Sequence, residues 1–98
     1  MNVVSMREYL NFQNEFLRKH VVENVYTTKM IDNSYSKHYI CEDNSELWER
    51  NEIVTEQVEV EIHKVKMTIP VRMVRHEMWT NEHTSIYAYE ELRYGGVR

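Results

Sequence analysis

From residue 57 to residue 73 the chain alternates with a period of two. Val58, Val60 and Ile62 interleave with Gln57, Glu59 and Glu61; Val65, Met67, Ile69, Val71 and Met73 interleave with Lys66, Thr68, Pro70 and Arg72. Strict alternation places the apolar set on one side of a strand. The apolar phase passes from even to odd numbers between 62 and 65, which a two-residue turn at His63 and Lys64 explains. The expected register pairs Ile62 with Val65, Val60 with Met67 and Val58 with Ile69 on one buried face, with Glu61 meeting Lys66 on the other. An opposite-charge cross-strand pair contributes about 0.2–1 kcal/mol, so the apolar residues set the register. His-Lys is a poor tight turn, because such turns favour Gly or Asn at positive φ. A wider loop or a bulge in one long strand is the alternative. Pro70 implies an edge position or a strand break.

A helix precedes this region. Ser5 and Glu8 have the spacing of a capping box, and Val4 and Tyr9 that of a hydrophobic staple. Met6, Tyr9, Leu10, Phe16, Leu17 and Val21 recur at helical spacing, which predicts a helix over about 6–21. Phe12, off the main stripe, widens the apolar face or meets a partner. Residues 25–31 and 35–41 read as strands, separated by the turn chemistry of Asp32, Asn33 and Ser34. Residues 46–51 fit either a short helix capped by Ser45 or the start of a strand. Residues 84–94 also fit both; Gly95 and Gly96 favour a helix by supplying its stop. The expected fold class is α+β: an N-terminal helix on an antiparallel sheet of about four strands, with a short C-terminal helix. Residues 1–98 form one compact domain in this reading. Met6, Met30, Met67, Met73 and Met78 are assigned to the core.

Cys41 is the only cysteine, which rules out an intrachain disulfide. It reads as a small buried thiol. No apolar run suits a signal peptide or approaches the ~20 residues of a membrane span, so the expected location is cytoplasmic. His38 and Cys41 make only half of a metal-binding pair, and His76 and His83 match no zinc spacing. The glycines stand only at 95 and 96, so no phosphate-binding loop precedes a helix. On a strand, Cys41 and His38 point to opposite faces, which does not make a nucleophile and base. No enzyme, metal or cofactor is expected.

Net charge is −4, which disfavours a freestanding nucleic-acid binder. The charge is uneven: residues 42–61 hold eight acidic groups and one basic group. Such a cluster is either a solvated face or a docking surface for a basic partner. The expected function is a small protein-binding domain, inhibiting a basic, nucleic-acid-binding protein of the kind that mobile-element inhibitors, antitoxins and anti-defence proteins target. Expected contacts are Glu42, Asp43, Glu46, Glu49, Glu59 and Glu61, with Trp48 as an aromatic anchor. Two alternatives remain: a nucleic-acid accessory protein using Lys64, Lys66, Arg72 and Arg75 beside aromatic rings, or a homo-oligomeric structural protein, a homodimer being the simplest case.

Overall fold

The computed structural model describes residues 2–29, 34–82 and 84–92. Its elements are β1 (Asn2–Val3), α1 (Met6–Lys19), β2 (Val22–Lys29), β3 (Tyr35–Cys41), β4 (Glu46–Ile62), β5 (Val65–Thr80) and β6 (Ile86–Glu91). The fold is α+β and, among the described residues, has one helix on a six-stranded sheet of order β1-β6-β5-β4-β3-β2. Neighbouring strands are antiparallel except β1 and β6, so the sheet is mixed.

The helix begins where its cap predicts. The Ser5 hydroxyl accepts the Glu8 N–H at 3.1 Å, and the Glu8 carboxylate accepts the Ser5 N–H at 3.4 Å. Its last helical residue is Lys19, followed by extended backbone at His20. Tyr9 is its one buried residue, and it joins Leu47, Met78 and Ala88 in the core. Val4, Met6, Phe12, Phe16, Leu17, Tyr39 and Ile86 pack around them.

The register expected for the central hairpin is present, from Ile62 opposite Val65 through Glu61 opposite Lys66 and onward to Leu47 opposite Thr80. The turn is the two-residue one, with His63 at φ 50° and Lys64 at φ 66°. Holding two non-glycine residues in that region costs roughly 1–2 kcal/mol each, and the long ladder offsets it. Counting from the turn, Pro70 falls in a non-hydrogen-bonded pair with Gln57. Its missing N–H therefore faces the outer margin, as an edge position requires.

Three expectations need correction. The described residues form six strands, not about four: β1 and β6 add, on the β5 side, to the four expected, and residues 46–51 lengthen β4. Residues 86–91 form β6, not a helix. Ile86 and Ala88 turn toward α1 while Tyr87 and Tyr89 take the other face, an alternation that pairing with β5 selects over the helical option. Gly95 and Gly96, on which the helical expectation leaned, lie outside the described residues, as do Met30, Asp32 and Asn33. Finally, the apolar face of the β4–β5 hairpin is not buried. β3 pairs with β4 only as far as Asn51, and β6 with β5 only as far as Met73. The remainder projects as a two-stranded arm, and Ile62, Val65, Met67 and Ile69 are all exposed. Met67 thus lies outside the core, whereas Met78 is fully buried. The arm gives the molecule its elongated shape, 56 × 25 × 23 Å.

Candidate protein-binding face

Strand alternation and the position of α1 give the sheet two unlike faces. Leu47, Glu49, Asn51, Met78 and His76 lie on the covered face, where Gln13 of α1 donates a hydrogen bond to Glu49. Trp48, Arg50, Glu52, Trp79, Glu77 and Arg75 lie on the opposite face, which no described element covers.

On this open face the rings of Tyr26, His38, Trp48 and Trp79 form a row across β2, β3, β4 and β5. His38 and Trp48 stack at 4.8 Å between centroids and 11° between planes; Trp48 and Trp79 stack at 6.0 Å and 7°. Tyr26 continues the row at 6.3 Å from His38. The row borders a shallow hollow lined also by Thr28, Ser36 and Arg50. Cross-strand register brings these residues together. They are 53 residues apart in sequence from Tyr26 to Trp79, so no local pattern announces them.

Charges surround the row. Glu46 bonds His38 Nε2 at 2.9 Å. Arg50 lies 3.1 Å from Glu77 and 3.5 Å from Glu52, and Arg75 lies 2.5 Å from Glu52. Glu77 also accepts from Ser85 and Tyr87, each at 3.0 Å; the Glu77 bond, first, and burial raise the Tyr87 hydroxyl above its ordinary pKa. The Glu52 bond, first among several causes, raises the Arg75 guanidinium as well. On β3 to β6 the open face carries five carboxylates (Glu46, Glu52, Glu56, Glu77, Glu91) against two guanidinium groups (Arg50, Arg75). It is therefore acidic, although internal pairs neutralise part of its charge.

The sequence-predicted contacts do not form one patch. Glu46 and Trp48 lie on the open face. Glu42 and Asp43 lie in the β3–β4 turn, where Asp43 bonds Nδ1 of His20, the residue that ends α1, at 2.6 Å and the Ser45 N–H at 3.0 Å; Asp43 is thus tied to the helix side. Those two bonds hold the Asp43 carboxyl down at about 2. Glu49 is on the covered face and 5% exposed. Glu59 and Glu61 belong to the covered-face side of the arm, and β4 carries them about 50 Å from Asp43 at ~3.3 Å per residue. The basic set is split as well. Lys64 is at the arm tip, Lys66 and Arg72 share one side of the arm, and Arg75 is on the other, bonded to Glu52. Of these four, Arg75 shares the open face with the aromatic row, in which Tyr26 is 58% exposed.

Beneath α1 the Tyr9 hydroxyl is buried with no hydrogen-bond partner among the described residues. Burial first, then the charge of Glu49, pushes its pKa above the ordinary phenol range. Burial, and secondarily Asp43, likewise raises the Cys41 thiol, which is 1% exposed and unfit as a nucleophile at neutral pH. Among the described residues no group of three or more His, Cys, Asp or Glu is placed to hold a metal ion, and no helix is long and apolar enough to cross a membrane. Compared with protein families, with curated proteins and with solved structures, the chain gives no significant match, so its own geometry carries the functional argument.

Proposed function

We propose that this chain is a non-enzymatic protein-binding domain that docks its open sheet face on a basic partner and inhibits it. The observation that carries this reading is the Tyr26–His38–Trp48–Trp79 row on a face left uncovered by the helix. Aromatic residues are enriched among the anchors of protein interfaces. The excess of carboxylates around the row favours a cationic target by steering and orientation. A protein that binds nucleic acid offers such a surface, and an acidic domain seated there competes with phosphate. Within this reading Trp48 and Glu46 keep the contact roles expected from sequence. Trp79 and Tyr26 join the anchor.

The test is affinity capture on the immobilised chain at low and high salt. The expected result is retention of a basic protein that weakens with salt, is lost in Trp48→Ala, and is unaffected by Glu59→Gln/Glu61→Gln. The captured protein, assayed with labelled nucleic acid, should release it when the chain is added. Retention that survives Trp48→Ala and Trp79→Ala together would overturn the reading.

A further inference from the structure

In the body of the sheet, the aliphatic core residues Leu47, Met78 and Ala88 face the helix. In the arm the polarity is reversed. Val58, Val60, Ile62, Val65, Met67 and Ile69 share the face opposite to α1, while Gln57, Glu59, Glu61, Lys66 and Thr68 lie on the helix side. The helix therefore cannot cover the arm's apolar face, however the arm bends. Ile62 is 50% exposed and Val65 56%. A two-stranded ribbon alone is marginally stable in water, and a contiguous apolar patch of this kind marks an interaction surface.

We propose that the occupant is a second copy of this chain, its arm laid antiparallel and face to face on the first across a two-fold axis. Two features of the arm fit a copy better than a charged partner. The six side chains named above carry no charge, so self-pairing sets no like charges against each other, whereas a basic target would meet only Glu56, at the base of the face. The charges at the two ends of the face are complementary. Glu56 lies at its base with no ion pair among the described residues, and Lys64 lies at its tip. Antiparallel overlap of residues 56–62 with their counterparts brings the Lys64 of each copy beside the Glu56 of the other. The overlap is confined to two short ribbons, which puts it at or below the ~1,200 Å² where stable interfaces begin. So small an overlap implies a weak, reversible dimer and not an obligate one. Each arm overlaps only the other arm, so Trp48 and Trp79 of both copies stay open for the partner proposed above. This inference stands independently of that one.

Sedimentation of the full chain from about 1 µM to about 500 µM tests it. The expected mass rises from the 12.0 kDa monomer toward twice that value. Val60→Glu holds the chain at the monomer mass throughout, while Thr68→Glu, on the polar side of the same arm, leaves the rise intact. Unchanged tryptophan fluorescence confirms that each variant keeps its body; Met67→Lys replaces Val60→Glu if that variant does not fold. A monomer mass at every concentration overturns the proposal. So does association that survives both Val60→Glu and Met67→Lys, since it then uses another surface. Arm variants should leave partner capture unchanged and Trp48→Ala should leave the dimer unchanged, so either proposal can fail without the other.

Discussion

Leu47 and Ile62 are apolar residues of the same strand, and the structure assigns them very different energetic weights. Leu47 is fully buried, opposite Tyr39 and Thr80, in a cluster with Tyr9, Met78 and Ala88. Replacing it with Ala removes its buried methyl groups and leaves a cavity that α1 cannot fill without shifting, a loss of about 3 kcal/mol. Ile62 is half exposed at the arm tip, where truncation leaves no enclosed space. Ile62→Ala therefore costs under about 1 kcal/mol. For a chain of this size 1 kcal/mol corresponds to roughly 4–8 °C in Tm, so Leu47→Ala should lower Tm by about 12–24 °C and Ile62→Ala by a few degrees. Urea unfolding followed by the fluorescence of Trp48 and Trp79 measures both. Protein kept at about 1 µM, the lowest concentration of the sedimentation series, favours the monomer. Equal losses for the two variants, or a Leu47→Ala loss below about 1 kcal/mol, would refute the assignment of the core to the body and of the arm to solvent.

Two further outcomes follow from the caps and the turn. Ser5→Ala should cost about 1 kcal/mol in the same urea assay and Ser5→Gly only a few tenths, because Gly suits the cap backbone although it lacks the hydroxyl. Asp43, held down at about 2 by His20 and the Ser45 N–H, is a carboxyl whose folded pKa is depressed. Its stabilising contribution is complete above the unfolded value near 4 and is lost as pH falls toward 2. The Tm of Asp43→Asn should thus lie below that of the parent above pH 4, and the gap should close between about pH 4 and about pH 2; a gap independent of pH would remove the bonded carboxylate as its cause.

Local signals were legible wherever one residue's neighbours in sequence are also its neighbours in space. Ser5 and Glu8 cap α1 within one turn, and the phase switch between Ile62 and Val65 set the hairpin register without reference to the rest of the chain. Alternation reports that one side of a hairpin is apolar. It does not report whether anything lies over that side: Val60 and Met67 alternate as core residues do, yet β3 and β6 stop short of them. The tail illustrates competition between levels: residues 86–91 satisfy either periodicity over so short a stretch, and pairing of Ala88 opposite His76 decides. The acidic segment failed to form one patch for the same geometrical reason. Glu46 and Glu49 differ in parity on β4, so one faces the open side and the other the helix. The aromatic row joins four strands and carries no local signature at all.

The two outermost strands bear on how the molecule can meet others. β1 is only two residues long, too short to template an additional strand. β2, at the far margin, is polar along most of its length, carries Glu23 and Lys29 near its ends, and has an irregularity between Val22 and Asn24 that disturbs a straight ladder. Pro70 withholds a donor along the free side of β5. Lateral growth of the sheet, the route to fibrous stacking, is thus discouraged at β1, at β2 and along the Pro70 side of the arm, and association is directed to broad surfaces, where a closed pair can stop.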